Sequence, residues 1–482
     1  MNVLVAIFGL TAAVWALILL RYLPSIGTRM LAWGMVAYLV AQVFLGYWFF
    51  HVEAGPVPPT IDRAMLGLLI GMWGIRLWQT KGSELRLDWM DIVVFGWFAV
   101  ICWNTLTHDY KFRNNLPLSR LLFFNFLPLL TYIVMKHTSW RIGDLRLVNC
   151  AWLLIGLALS LIAFAEWQSW YSVIYPTYIV SPTFEEFFGR GRGPLLNPMI
   201  NGCLISVGLM ATFLMARTAG ASQRIGLAII AVAMLLGLYC TLTRSVWLAG
   251  AAVVAIFVLA WTSWQWRIRL ACIGVVCAAM FYVYGAEAFN RFKRDQNVTV
   301  EQMSESVKLR PMLAAVAWEM FKDHPVNGVG FGLYHKYKAP YHFTDKYGRP
   351  LQSVLKYTQH NVFLVYMLET GVVGTLFFVA ILATVMYRSC RVWSQFAGNE
   401  QHAELAQFGL VGTAIVSVYI INGMFHDVSI IPMSNCLLLY AAGLVGQLSI
   451  SEPNFSGERV WKLLADRIED PSQLSGEKLL PS

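Results

Sequence analysis

The chain has 482 residues, of which 57% are hydrophobic and only 13% are charged. Soluble domains carry about 25% charged residues, so this composition excludes an ordinary soluble protein and indicates that lipid surrounds most of the surface. The formal net charge of +9 comes mainly from basic residues that flank apolar segments, as the positive-inside rule expects. We therefore predict that the charge serves membrane orientation and that the protein binds no nucleic acid.

Apolar segments of about 20 residues recur along the chain, and each is long enough to cross a hydrocarbon core of about 30 Å. Backbone groups in lipid must be satisfied within the segment, so these segments are predicted to be helices. The predicted fold class is an all-α polytopic membrane protein with 12–13 transmembrane helices. Hydropathy places thirteen spans at 3–20, 30–50, 63–79, 89–106, 118–135, 147–167, 198–216, 225–241, 244–263, 270–286, 360–387, 406–424 and 430–448.

The loops give an independent prediction of orientation. Short basic loops alternate with longer loops, and their cations are Arg21, Arg29, Lys81, Arg86, Lys136, Arg141, Arg146, Arg217, Arg224, Arg267, Arg269, Arg388 and Arg391. The positive-inside rule places the short basic loops in the cytoplasm, with the amino terminus outside and the carboxyl terminus inside. No basic residue precedes the first apolar segment, so we predict a retained span rather than a signal peptide.

This topology divides the chain into four regions. They are an amino-terminal transmembrane bundle (1–286), an external polar excursion with an amphipathic helix (287–359), carboxyl-terminal transmembrane helices (360–450) and a cytoplasmic tail (451–482). The helix in the excursion is predicted from apolar residues at i, i+3 and i+4 spacing, with Arg310 near its start and Asp323-His324-Pro325 at its end.

Several classes of site are not indicated by the sequence. The eight cysteines lie in or beside apolar segments and form no CxxC pair, which favours packing residues over disulfides. No HExxH, DxD, GxxxxGK[ST] or GxSxG motif occurs. We therefore predict no metal, no cofactor, no ATP site and no serine nucleophile.

Polar residues that the topology places on the external side are candidates for a site. Arg192 lies in a glycine-rich segment, GRGRGP, and glycine allows close backbone approach to a ligand. Arg244 lies in the short turn between two spans, and an ionisable residue near membrane depth is a functional candidate by default. The structural alternatives are a turn with interfacial arginine for the first and an interface anchor for the second.

The remaining candidates are Arg310, the His360-Asn361 pair and the His426-Asp427 pair. Asn361 is predicted to cap the helix that re-enters the membrane, which would hold His360 at the helix mouth with a pKa suited to proton transfer. Arg310 on a solvated helix face and a structural interfacial His360 are the alternatives. Asp427 lies beside His426 in the sequence, and its carboxylate is predicted to orient a histidine base or to shift the pKa of that base. His426, Asp427 and Asn361 are thus predicted to surround the residues that contact the substrate.

Four segments together resemble the bacterial O-antigen ligase and O-antigen polymerase superfamily. They are GRGRGPLLNPMINGCL, LTRSVWLAG, RPMLAAVAWEMFKDHPVNGVGFGLY and HNVFLVYMLETGVVGTLFF. The resemblance covers residues 185 to 385. It rests most on the Arg-led helix with its Pro-x-x-Gly-x-Gly loop, and on the His-Asn span with Glu-x-Gly-x-x-Gly.

The resemblance implies a GT-C-like membrane glycosyltransferase in the bacterial inner membrane, with its active site facing the periplasm. The implied donor is a glycan on undecaprenyl diphosphate, and the implied acceptor is a glycan or lipid, in O-antigen or exopolysaccharide biosynthesis. Residues matching Arg244 and Arg310 bind the donor diphosphate in the ligases, Arg192 is a weaker match, and the residue matching His360 is the base. Direct attack without a covalent intermediate would invert the anomeric centre.

Three alternatives remain open at this stage. The first lies within the superfamily, where a polymerase-like or exopolysaccharide role is favoured slightly over a ligase, and a protein-glycosylating relative is less supported. The second is a transporter or flippase of lipid-linked glycans, which would use the arginines without needing His360 as a base. The third is a scaffold that works with other polysaccharide assembly and export proteins. Convergence of Arg244, Arg310 and His360 on one cavity would favour the enzyme.

Overall fold

The computed structural model describes residues 28–51, 58–82, 87–184, 186–280, 300–343, 350–397 and 403–450, together with residues 85, 347 and 348. The predicted first span, 3–20, the predicted tail from Ser451 and residues 287–299 of the excursion lie outside the described residues. The described part of the chain contains no β-strand, apart from one isolated bridge between His51 and Thr60.

The helices follow one another with short connections at most positions. In chain order they are α1 (Thr28–Phe44), α2 (Ile61–Gln79), α3 (Trp89–Thr107), α4 (Phe112–Lys136), α5 (Ile142–Trp167), α6 (Pro198–Thr218), α7 (Ala221–Cys240), α8 (Arg244–Trp261), α9 (Trp264–Met280), α10 (Val300–Asp323), α11 (Val362–Phe396), α12 (Ala403–Gly423) and α13 (Pro432–Ile450).

This architecture confirms the predicted fold class. Eight of the described helices are long and apolar enough to cross a membrane, namely α3 to α8, α11 and the stretch Glu404–Gly423 of α12. Every predicted span except 3–20 overlaps a described helix, although α9 begins earlier than predicted and is described only to Met280, and α11 continues past 387 to Phe396. The sides of these helices that face lipid are expected to be apolar, because no water is present there to form hydrogen bonds with polar groups.

The centre of the bundle is built from α6, α8, α11 and α12. Helix α12 packs against α6, α8 and α11, while α13 packs against α4 and α5 packs against α6. Helix α6 is the most deeply buried candidate span, with 83% of its apolar window inside the protein. Because α6, α8 and α11 all start at the same end of this centre, their first turns can contribute to one site.

Helix α11 is broken at Gly371, where φ is 65° and ψ is −164°. The break frees backbone carbonyls, and the glycine-rich loop after α10 binds two of them: Val329 N donates to Leu368 O at 2.9 Å and Gly330 N donates to Glu369 O at 3.0 Å. In return Val372 N donates to Pro325 O at 2.8 Å. Non-helical backbone inside a membrane protein persists only where such partners are present.

Two glycines make this docking sterically feasible. A Cβ at Gly371 would overlap the carbonyl of Val326, and a Cβ at Gly328, where φ is +70°, would overlap the backbone of Glu369. Both positions also have the positive φ that other residues rarely adopt. The Pro-x-x-Gly-x-Gly and Glu-x-Gly sequences are therefore the two halves of one backbone contact.

Helix α10 carries the predicted apolar face and buries it against the bundle. Leu313, Val316 and Met320 are almost fully buried, and the last two pack in one cluster with Leu368 of α11. One detail of the prediction is wrong: α10 begins at Val300, so Arg310 lies in the middle of the helix rather than near its start. The predicted end at Asp323 is confirmed.

Basic residues gather at the opposite end of the bundle from the break in α11. Arg146 pairs with Glu404, and Arg217 lies 4.3 Å over the ring of Trp261, which in turn contacts Trp393. These residues end or begin helices that the sequence assigns to cytoplasmic loops. The carboxyl-terminal ends of α6, α8 and α11 therefore meet at this end of the bundle.

Candidate functional site

The segment before α11 is fixed by the side chain of Asn361. Its Oδ1 accepts hydrogen bonds from Phe363 N at 2.9 Å and Leu364 N at 3.1 Å, which confirms the predicted helix cap. Its Nδ2 donates to Met424 O at 3.1 Å, at the end of α12. The neighbouring His360 is exposed and is held beside the loop that joins α12 to α13.

That loop brings His426 to the first turn of α8. His426 Nε2 lies 3.1 Å from Ser245 Oγ, and Ser245 directly follows Arg244, the first residue of α8. The predicted histidine and the predicted arginine therefore lie at one helix start, although they are separated by about 180 positions in the chain.

Arg310 reaches the same place from α10. Its guanidinium lies 5.3 Å over the ring of Phe425, next to His426. Partial burial and the positive charge of Arg244 lower the pKa of Arg310. Partial burial of the ring and then the positive charge of Arg310 lower the pKa of His360, although part of its side chain remains accessible to solvent. Arg244, Arg310, His360 and His426 thus form one cluster, which we call the arginine–histidine cluster.

The GRGRGP segment also contributes to this cluster, but through Arg190 rather than Arg192. Burial, followed by the charges of Arg310, His360 and Arg190, lowers the pKa of His426 to about 4. Arg190 also lies 5.7 Å over the ring of Phe187. A second guanidinium-bearing loop therefore lies near His426. The lowered pKa values keep both imidazoles neutral at neutral pH.

The structure does not bring Arg192 to the cluster. Its side chain is fully buried, and its guanidinium donates to the carbonyls of Ile179, Phe184 and Glu186. Its backbone N and that of Gly193 donate to the carboxylate of Glu166. Arg192 therefore organises the loop that presents Arg190.

The carboxylate of Asp427 is held by Ser429, which connects it to a buried ion pair. Its Oδ1 accepts hydrogen bonds from the backbone N and the hydroxyl of Ser429. Ser429 Oγ in turn accepts from Arg120 Nη2 at 3.3 Å, and Arg120 Nη1 pairs with Glu369 at 3.0 Å. Burial raises the pKa of Asp427 to about 6, although Arg120 opposes that rise.

This buried network ties the cluster to the break in α11. Glu369 is adjacent to the break through Thr370, and its backbone carbonyl binds the glycine-rich loop. Arg120 also lies 4.6 Å over the ring of Phe331 in that loop. The loop, the broken helix and the His426-Asp427 segment are thereby held in one arrangement.

The electrostatic character of the site favours an anion. Helices α6, α8 and α11 begin at this end of the bundle, and helix starts carry partial positive charge from unpaired N–H groups. Three arginines add full charges, and planar guanidinium groups suit the oxygens of a diphosphate. Among the described residues no group of three or more metal-ligating side chains lies together.

Sequence reasoning noted both guanidiniums of the GRGRGP segment but chose Arg192 over Arg190, and it missed Ser245 and Arg120. Arg190 had the same signal as Arg192, since both lie in the glycine-rich segment, and only the packing distinguishes them. Ser245 directly follows Arg244, and a hydroxyl at a helix start is too common to single out. Arg120 lies inside an apolar span, where a charged residue is a functional candidate by default, so its position did carry a usable signal.

Comparison with known proteins gives one family match. A family model described as O-antigen ligase matches residues 229–379, a range that contains Arg244, Arg310, His360 and the break at Gly371. Comparison with curated proteins gives no significant match. The family match confirms the resemblance seen in the sequence: over residues 229–379, about a third of the chain, this multi-span protein is similar to the O-antigen ligases.

Proposed function

We propose that the protein is a glycosyltransferase that transfers or polymerises a glycan carried on undecaprenyl diphosphate, at the periplasmic face of the bacterial inner membrane. The observation that carries this proposal is the convergence of Arg244, Arg310 and His360 on one end of the bundle, with His426 beside them. The excursion 287–359 supplies Arg310, and the helices of 1–286 and 360–450 supply the other residues.

In the proposed reaction the three arginines Arg190, Arg244 and Arg310 bind the donor diphosphate. An acceptor hydroxyl oxygen attacks the anomeric carbon of the donor sugar while the bond from that carbon to the diphosphate oxygen breaks. The diphosphate leaves with the electron pair, and the arginines stabilise its growing charge. No metal or nucleotide is needed, and a single displacement inverts the anomeric centre.

His360 is the proposed general base. It takes the proton of the acceptor hydroxyl as the new glycosidic bond forms, and its lowered pKa keeps the imidazole neutral and able to accept at neutral pH. Asn361 positions His360 through the helix cap and the bond to Met424 O. His426, held on Ser245, belongs to the second layer of the site.

A transporter of lipid-linked glycans is the second candidate, because transporters use broken helices to form substrate sites and α11 is broken. In this chain, however, the glycine-rich loop binds the carbonyls of Leu368 and Glu369 at the break. Because these carbonyls already accept hydrogen bonds from the loop, they contribute little to the binding of a transported substrate. The enzyme is therefore the better-supported function.

The test is a transfer assay with the purified full-length protein in lipid nanodiscs and a glycan on undecaprenyl diphosphate as donor, with EDTA and without ATP. His360→Ala is expected to lose transfer by about 100-fold or more while keeping donor affinity, since that is the usual contribution of a general base. The matched control is His324→Ala, an exposed histidine at the end of α10, which should transfer as the wild type does.

Two acceptors distinguish polymerase from ligase. A second lipid-linked glycan supports a polymerase, and a lipopolysaccharide core supports a ligase; we expect the polymerase result. Equal transfer by wild type and His360→Ala would overturn the assignment of the base. Movement of donor across the membrane without any transfer product would support the transporter instead.

A further inference from the structure

A second charged surface lies on the same end of the bundle, apart from the arginine–histidine cluster. It is formed by the turn between α3 and α4, by the first residues of α4 and by the helical turn Tyr334–Tyr337 that follows the glycine-rich loop. Lys336 Nζ pairs with Asp109 Oδ2 at 2.6 Å, and Gly332 packs on Pro117. The two segments therefore form one continuous surface.

Cations outnumber acids on this surface. Lys111, Arg113 and Lys336 are exposed, and Lys338 is buried next to them. Among the described residues of this surface, the acidic side chain is that of Asp109. We call Lys111, Arg113, Lys336 and Lys338 the basic patch. An unbalanced group of this kind raises the local concentration of anions.

Lys338 is the most unusual member, because only 7% of its surface is exposed. Its Nζ donates to Tyr357 O at 3.1 Å and lies 5.1 Å from the centre of the Tyr334 ring. One carbonyl satisfies one of three ammonium protons. A buried cation with remaining donors is costly unless another anionic or polar group completes it.

Arg113 is presented by a strained stretch of backbone. Arg113, Asn114 and Asn115 have consecutive positive φ values of 44°, 56° and 61°. Left-handed residues other than glycine cost free energy and gather at functional positions. Arg113 and Lys338 also share one environment, because burial and then their two charges lower the pKa of His335 to about 4.

Aromatic rings hold the exposed cations in place. Lys111 lies 5.7 Å over Tyr110, Arg113 lies 5.4 Å over Phe112 and Lys336 lies 5.3 Å over Tyr337. Such contacts restrain a cation without neutralising it. The rings also give the surface apolar faces with polar edges, which suit a sugar ring that carries an acidic group.

We propose that the basic patch binds acidic groups, carboxylate or phosphate, on the acceptor glycan. This inference rests on the proposed function and adds the chemical class of the acceptor. The Arg120–Glu369 pair lies between the patch and the cluster, since Arg120 packs over Phe331 of the glycine-rich loop on one side and donates to Ser429 of the His426-Asp427 segment on the other. A glycan of several sugars reaches from the patch to His360 and places its terminal hydroxyl at the base.

The test is direct binding to the full-length protein in nanodiscs of neutral lipid. The probe is a hexasaccharide that alternates a neutral sugar with glucuronate, and its control is the same molecule after reduction of the carboxylates to alcohols. A phosphorylated hexasaccharide distinguishes phosphate from carboxylate recognition. Undecaprenyl diphosphate is titrated in parallel to report on the arginine–histidine cluster.

Wild type is expected to bind the acidic probe about tenfold more tightly than the reduced one, as one lost charged contact would predict. The double variant Lys111→Gln/Arg113→Gln should lose that preference and keep its affinity for undecaprenyl diphosphate. The matched control, Arg224→Gln/Arg267→Gln, removes two exposed cations from the opposite end and should behave as wild type.

Equal binding of acidic and reduced probes by wild type would overturn the inference, as would a preference that survives in the patch variant. These outcomes are separate from failure of the proposed function, because binding is measured without transfer. His360→Ala should abolish transfer and keep the preference for the acidic probe, so the two proposals fail through different measurements.

Discussion

His426 Nε2 lies 3.1 Å from Ser245 Oγ, so the loop between α12 and α13 is attached to the first turn of α8. This contact brings together a histidine from outside the O-antigen ligase match and an arginine turn from inside it. It also sets His426 beside Arg310 and His360, so that burial and then these neighbouring charges lower the pKa of His426.

The pH dependence of transfer should report on Arg310. A positive charge disfavours the imidazolium form, so Arg310 lowers the pKa of His360 in addition to the effect of burial. In Arg310→Gln that pKa rises toward its ordinary value of about 6.5, and the acid limb of the kcat/KM profile moves to higher pH. His324→Ala should leave the acid limb at the wild-type pH. If the acid limb of Arg310→Gln also stayed at that pH, the group that titrates would not be His360.

The two neighbouring arginines of the glycine-rich segment should behave differently. Arg192→Ala leaves the buried carbonyl of Ile179 and the part-buried carbonyls of Phe184 and Glu186 without their donor, which should cost about 3 kcal/mol of stability and lower the melting temperature in detergent. Arg190→Ala should keep the melting temperature and weaken donor binding about tenfold, the loss of one charge-assisted contact. If Arg190→Ala lowered the melting temperature and Arg192→Ala weakened donor binding instead, Arg190 would be the structural residue and Arg192 the donor ligand.

The break in α11 should tolerate no side chain. Gly371→Ala places a Cβ against the carbonyl of Val326 and forces a positive φ on alanine, so we expect a loss of about 2 kcal/mol or more and an inactive protein. Gly71→Ala is the control, because a Cβ at this helical position meets nothing within 4 Å. Near-equal melting temperatures for the two variants would mean that the loop and the helix do not meet as described.

The Arg120–Glu369 pair should be essential as a pair. Arg120→Met leaves the buried Glu369 and the nearby Asp427 without their cation, and removal of one partner from a buried ion pair usually costs about 3–5 kcal/mol. Arg120→Met/Glu369→Leu should be less destabilised than the sum of the two single variants in thermal unfolding. Additive losses would show that the two side chains act independently.

Much of the fold followed from the sequence alone, because a membrane imposes simple rules. Runs of about 20 apolar residues must be helices in lipid, and this placed every predicted span within the described residues on a helix. The apolar stripe of α10 and the cap at Asn361 also depend only on local periodicity and side-chain chemistry, and the structure confirms both. The resemblance of the LTRSVWLAG and His-Asn segments to O-antigen ligases falls within the range matched by the family model.

Tertiary structure alone decided which polar residues meet. Arg190 and Arg192 have the same local sequence, yet Arg190 lies near His426 whereas Arg192 is buried and donates to carbonyls, because that choice depends on contacts with α5 and α6. The joining of His426 to Ser245, and the basic patch formed by segments about 220 positions apart, likewise require long-range packing. Local sequence determines helices and caps through neighbouring atoms, whereas a site between helices depends on how separate helices pack against one another.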